Sequence, residues 1–140
     1  LTKNLSLSDK LVKGGNFNRR SELPNFFELY KKKLLIAGFG RIGKEVAKRC
    51  LGFDMEVYVY DPFLNNDLIK KSGCIPIEKN NGLALADFVS IHLPLNEDTK
   101  NFISQTELDL MKKKTILVNT SRGGIVNEND LYQALSSKKI

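Results

Sequence analysis

The chain has 140 residues, 41% of them hydrophobic, which is one domain's worth of core; no apolar window reaches the roughly 20 residues a membrane helix needs, so no membrane partner is expected. Its two cysteines, Cys50 and Cys74, stand far apart in no metal or redox spacing, which excludes a disulfide scaffold or cysteine metal centre and fits a reduced cytoplasmic protein. The net charge of +6 comes from 22 basic against 16 acidic residues and favours anionic ligands, but no aromatics interleave in sequence with the lysine runs, so nucleic acid is not an expected partner.

The opening Leu1-Thr-Lys-Asn-Leu5 has no signal-peptide core. Residues 1–33 read as an interdomain or linker segment. Leu5, Leu7, Leu11 and Val12 predict a short helix that Gly14, Gly15 and Asn16 break. Phe17, Phe26, Phe27 and Tyr30 are many aromatics for a solvated tail and are expected to pack against something. From residue 34 the pattern changes. Short Val- and Ile-rich runs at 34–38, 56–60, 74–77 (weak), 88–93 and 115–119 alternate with helical stretches. Such runs are the signature of parallel strands covered on both faces, so the expected class is doubly wound α/β, Rossmann-like and incomplete at its C-terminus. Ile140 falls where a further strand is expected, and the chain reads as a piece of a larger protein.

After the first strand, Gly38, Gly40 and Gly43 stand at G-x-G-x-x-G spacing. The next helix carries Ile42, Val46, Ala47, Cys50 and Leu51 on its predicted sheet face, with Gly52 as its stop. Asp61 closes the second strand at roughly the 20-residue spacing of the acid that holds an adenosine ribose. Strand, glycines, helix, strand and acid in that order predict a dinucleotide site. Gly38 permits the turn, Gly40 lets a pyrophosphate approach, and Gly43 lets helix and strand pack. Amides around Gly40, Arg41 and Ile42 point at the anion. A 2′-phosphate about 4 Å from the Asp61 carboxylate, at an effective dielectric of ~20, meets a repulsion of about 4 kcal/mol, which selects NAD over NADP. Further on, Ser104 and Glu107 form a capping box, and Asn127 opens a last helix with Leu131, Ala134 and Leu135 on one face. Strands four and five end on one sheet edge, which places the segments from His92 and from Asn119 at the nicotinamide end of the crevice.

Gly38-Phe-Gly-Arg-Ile-Gly43, Tyr60-Asp-Pro-Phe63, His92-Leu-Pro-Leu-Asn-Glu-Asp-Thr99 and Val118-Asn-Thr-Ser-Arg-Gly-Gly-Ile-Val-Asn127 together resemble the D-isomer-specific 2-hydroxyacid dehydrogenase family. Tyr60-Asp-Pro-Phe63 is similar to the branch that includes D-3-phosphoglycerate dehydrogenase. The resemblance covers nearly all of 34–140 and implies an NAD-binding domain there. It implies that Arg122 is catalytic, gripping the carboxylate and carbonyl of a small 2-hydroxy or 2-keto acid. It also implies that Thr120, Ser121 and Arg122 border the nicotinamide, with Leu93 and Pro94 opposite. The family's acid–base histidine and its glutamate correspond to positions beyond Ile140, so His92 is not expected to fill that role and this chain is not expected to turn over alone. A homo-oligomer, dimer or tetramer, is implied for the full-length protein. Two other readings remain at this point. One is a non-catalytic NAD-sensing or scaffold module of the same fold. The other is an S-adenosylmethionine-dependent methyltransferase, in which Arg122-Gly-Gly has no role.

Overall fold

A computed structural model describes residues 2–23 and 26–140; of the leading segment 1–33, Leu1, Pro24 and Asn25 lie outside the described residues. Five strands form one all-parallel sheet: β1 (Lys33–Ala37), β2 (Glu56–Tyr60), β3 (Ile75–Pro76), β4 (Phe88–Ile91) and β5 (Ile116–Asn119). Among the described residues six α-helices accompany them, α1 (Leu5–Lys13), α2 (Arg41–Leu51), α3 (Asn66–Lys71), α4 (Lys79–Leu85), α5 (Gln105–Leu110) and α6 (Glu128–Ser136), with a 3-10 helix at Phe17–Glu22. The strand order is β3-β2-β1-β4-β5. The chain therefore winds outward from β1 to one edge, then returns over the sheet to build the other half. That reversal falls between β1 and β4, where the connections leave in opposite directions and open a crevice.

Each strand sends alternate residues to opposite faces, and both faces are apolar. Leu34, Ile36, Val57, Val59 and Phe88 join Ala47 of α2 and Ile69 of α3 in one core. Leu35, Val89 and Ile91 join Leu83 of α4, Leu108 of α5 and Ala134 of α6 in the other. The registers pair Ala37 with Tyr60 and with Ile91, and Ile91 with Asn119. The carboxyl ends of four strands thus finish level on one edge.

Several expectations need correction. β4 ends at Ile91, short of residue 93, although the His92 N–H still donates to Ala37 O at 2.8 Å; Pro94, with no N–H, could not continue a ladder. β3 shrinks to two residues, and Pro76 is tolerated because β3 is an edge. Ile42 is not a core residue but 62% exposed: in the first turn of α2 it is Gly43 that seats on the end of β1, and Ile42 faces an adjoining cleft instead. Gly52 does end α2, as its C-cap, although at φ −65°; the left-handed position falls on Asp54 at φ 55°. Leu135 stays 55% exposed beside the free edge of β5. α1 buries no residue, and Phe17, Phe26 and Tyr30 are exposed; the Phe27 ring lies 6.1 Å from that of Phe88. The capping box is present, with Glu107 Oε2 accepting from Ser104 N–H at 3.0 Å, and Asn127 Oδ1 caps α6 through the Asn129 and Asp130 amides.

The tightest approach in the fold lies at Gly43, where an added Cβ would stand 2.2 Å from Gly38 O. Gly43→Ala must push α2 away from β1, and overpacking of this kind costs about 1–3 kcal/mol. A thermal midpoint lowered by roughly 3–10 °C in a calorimetric melt is the expected result. An unchanged midpoint would mean that α2 is not held this close.

Candidate functional site

The glycine turn is built by three different restrictions. Gly38 has φ +91°, a conformation L side chains rarely adopt, and a Cβ there would meet His92 O at 2.8 Å. Gly43 seats α2 against Gly38. Gly40 differs: a Cβ on it would find nothing within 4 Å. Packing does not demand a glycine at position 40, which leaves the space above it free for a ligand. Gly40 also caps α2 without any side-chain hydrogen bond. The first amides of a helix have no intrahelical acceptor, so those of Arg41, Ile42 and Gly43 face the edge as donors with the positive end of the helix dipole behind them. This is an anion seat in its donor chemistry.

Asp61 lies beside this seat at the end of β2. Its Oδ2 accepts from the Phe39 N–H at 2.8 Å, and its Oδ1 accepts from the Phe63 N–H at 3.1 Å. The carboxylate thus braces the glycine turn and caps its own loop. Each oxygen keeps a second lone pair, which a pair of sugar hydroxyls could use. Gly38, Phe39, Gly40, Tyr60, Asp61 and Phe63 line one side of a cleft of about 340 Å³, closed on the other by His92, Leu93, Pro94 and Phe102.

A second, adjoining cleft of about 770 Å³ is lined by Arg41, Ile42, His92, Leu93, Pro94, Leu95, Thr120, Ser121 and Arg122. Every residue expected in the site therefore borders one of the two clefts, except Gly43, which lies buried behind the turn. The exposure of Ile42 belongs to this arrangement: it is a wall of the cleft, not part of the core.

Two loops carry clamps that sequence reasoning missed. Asn119 Oδ1 accepts from the Ser121 N–H and Asn119 Nδ2 donates to Arg122 O, both at 3.0 Å. Ser121 Oγ donates to Ile91 O at 2.7 Å, tying the same loop to β4. The Arg122 guanidinium is exposed and uses Nη1 on Ser121 O at 2.9 Å, leaving the rest of its planar fork for an anion. In the other loop, Thr99 Oγ1 donates to Pro94 O at 2.5 Å and accepts from the Asn96 N–H at 2.9 Å, while the Thr99 N–H donates to Asn96 Oδ1 at 2.9 Å. Asn preceding a Ser or Thr by two or three residues was the available signal, since short polar side chains bond nearby backbone.

The single histidine, His92, sits where the two clefts meet, with Nε2 2.9 Å from Ser90 Oγ. Burial pushes its pKa below the ordinary value. A neutral ring bonded to a buried serine is a wall and an anchor, not a free acid. Among the described residues no cluster of ligating side chains could hold a metal, and no helix is long and apolar enough to cross a membrane.

Comparison with known proteins agrees with this fold. The family model for the D-isomer specific 2-hydroxyacid dehydrogenase NAD binding domain matches residues 1–140. D-3-phosphoglycerate dehydrogenase of Methanocaldococcus jannaschii is 36% identical over 139 residues, covering 99% of this chain and 26% of that protein. Glyoxylate reductase of Korarchaeum cryptofilum is 44% identical over 111 residues, covering 78% of this chain and 33% of that protein. The crystal structure of D-lactate dehydrogenase from Aquifex aeolicus, complexed with NAD and lactic acid, has a TM-score of 0.92 and 36% identity, and it covers 100% of this chain and 41% of that one. The chain spans roughly a quarter to a third of the length of these curated relatives.

His92 gives a pH signature. Its folded pKa is depressed, so unfolding takes up a proton. The stability it contributes is complete above the unfolded value of about 6.5 and is lost as pH falls through that value toward the lower folded one. The thermal midpoint is expected to fall between about pH 7.5 and 5.5, and His92→Asn to flatten that part of the curve. A variant with the same slope as the parent would show that His92 is not the group responsible.

Proposed function

The chain belongs to the D-isomer-specific 2-hydroxyacid dehydrogenase family as its NAD-binding part, and from that membership we propose how the clefts divide the coenzyme and what the full-length protein does with it. The observation that carries the reading is the vacancy over Gly40 beside an uncapped helix N-terminus, in the same crevice as Arg122. The Arg41 and Ile42 amides receive the pyrophosphate. The Asp61 carboxylate accepts from the ribose hydroxyls and disfavours a 2′-phosphate, so the coenzyme is NAD. The smaller cleft by Tyr60, Pro62 and Phe63 takes the adenosine end. The larger one takes the nicotinamide, between Leu93 and Pro94 on one side and Thr120 and Ser121 on the other.

NAD, when bound, supplies the hydride acceptor. The protein's share is position and charge. Arg122 offers a planar fork to the substrate's carboxylate and 2-oxygen and steadies negative charge on that oxygen. Its loop is held in place by Asn119 and Ser121. The proposed reaction of the full-length protein is hydride transfer between NAD and a D-2-hydroxy acid. The substrate best supported is D-3-phosphoglycerate, on the strength of Tyr60-Asp-Pro-Phe63 and of the Methanocaldococcus relative, with a place in serine biosynthesis. Homo-oligomerisation of the full-length protein is supported by the exposed apolar residues Leu5, Val12 and Phe17 in the leading segment. The free thiols of Cys50 and Cys74, whose pKa values burial raises, are inert at neutral pH and fit a cytoplasmic setting.

Titration of the chain with NADH, followed by nicotinamide fluorescence, tests this. NADH is expected to bind, with NADPH at least about tenfold weaker. Asp61→Asn should narrow that gap, and Gly40→Val should abolish binding without lowering the thermal midpoint. Equal affinity for both coenzymes, or an indifferent Gly40→Val, contradicts the assignment. In the full-length protein, Arg122→Ala should cut kcat/KM by about 10²–10³-fold in a steady-state assay; surviving activity would remove Arg122 from the chemistry.

A further inference from the structure

The edge of the sheet opposite the glycine turn gathers two lysine runs that lie far apart in sequence. β1 and β5 both neighbour β4. The residues leading into those three strands therefore meet: Lys31 and Lys32 before β1, Asp87 before β4, and Lys112, Lys113 and Lys114 before β5. Asp87 is the hub. Its Oδ2 accepts from the Lys33 N–H at 2.9 Å, and its Oδ1 pairs with Lys112 Nζ at 3.0 Å. That one carboxylate is thus already engaged. Among the described residues, Lys31, Lys32, Lys113 and Lys114 enter no ion pair. On the β2 side stand Asp54, whose carbonyl accepts from the Lys31 N–H at 3.0 Å, and Glu56, which accepts from the Tyr58 hydroxyl at 2.9 Å. Lys31 and Lys114 both sit at positive φ, 56° and 75°, where a side chain costs more than glycine does.

The fold also supplies the aromatics that the sequence spacing lacks. Phe27, Lys32, Asp87, Lys113, Lys114 and Thr115 line a concave cleft of about 160 Å³. The Phe27 ring is backed by Phe88 at 6.1 Å and still 38% exposed. Tyr30, next to Lys32 in the loop before β1, is also exposed, with Lys31 Nζ 5.0 Å from its ring centroid. Lys32, Lys113 and Lys114 thus share the cleft with the Phe27 ring and the Asp87 carboxylate, an excess of positive charge beside an aromatic face that suits a flexible polyphosphate with stacking bases. A bilayer surface calls instead for protruding apolar side chains, and Phe27 is set back on Phe88.

We infer that this edge binds a single-stranded nucleic acid, its phosphates on Lys31, Lys32, Lys113 and Lys114 and a base on the open face of Phe27 or Tyr30. The site is independent of the coenzyme crevice, which lies at the other end of the same strands. Fluorescence anisotropy of a labelled oligouridylate of about twelve nucleotides, titrated with the intact chain, tests it. Binding should weaken with salt at a log–log slope near −3, the value for about four neutralised phosphates on a single strand. Lys32→Glu with Lys113→Glu should weaken it more than tenfold, and Phe27→Leu or Tyr30→Ala by about tenfold, with thermal midpoints retained. Saturating NADH should leave it unchanged, as should Lys44→Glu with Lys48→Glu on the exposed face of α2. Four results would each overturn the inference: no anisotropy change at about 100 μM protein in low salt, displacement by NADH, equal loss in the α2 control, or binding to anionic vesicles but not to the oligonucleotide.

Discussion

The seat of Gly43 on the Gly38 carbonyl governs everything else at the carboxyl edge of the sheet. A hydrogen in place of a methyl group lets the first turn of α2 rest directly on the end of β1. With any side chain there, the helix would start farther out and its free amides would point elsewhere. Two consequences follow from the same contact. The helix begins beyond the last strand residue, so in its first turn Gly43 alone is buried. Ile42 is therefore spent as a wall of the crevice, and the Arg41 and Ile42 amides are left without internal acceptors.

That local geometry becomes a site only because the strands finish level. Two apolar layers, one on each face, fix the register of all the long-range pairs, since a slip by one residue would exchange the two faces. The winding reversal between β1 and β4 then opens the crevice where the glycine turn and the Asn119–Arg122 loop meet. The polar clamps are the finer adjustment. Asp61 braces the glycine turn, Asn119 and Ser121 brace the arginine loop, and Thr99 braces the loop of Leu93 and Pro94. Each replaces water on a backbone group that an irregular loop would otherwise leave unsatisfied.

The parts legible in the sequence were those encoded within a few residues. The glycine spacing, the short apolar strands, the Ser104–Glu107 capping box and the Asn127 cap are local signals, and they matched the fold. The Arg122 segment was legible through resemblance, and the structure brings it to the same crevice as Arg41 and Ile42. Three things were not legible, each for a physical reason. Helical periodicity placed Ile42 toward the sheet, because periodicity gives direction but not where the sheet stops. The clamp made by Asn119 depends on a turn whose path the tertiary fold sets. The meeting of Phe27 with Lys113 and Lys114 needs the order β1-β4-β5, which no short window of sequence contains.

The central claim is that backbone amides at the start of α2, not side chains, hold the coenzyme's pyrophosphate. Amide-resolved NMR of the isotope-labelled chain during titration with NAD reads those groups one by one. The account predicts that the largest downfield shifts fall on the amides of Gly40, Arg41 and Ile42, as charge-assisted hydrogen bonds form to the phosphate oxygens. Saturable binding that leaves these three amides unmoved would contradict it.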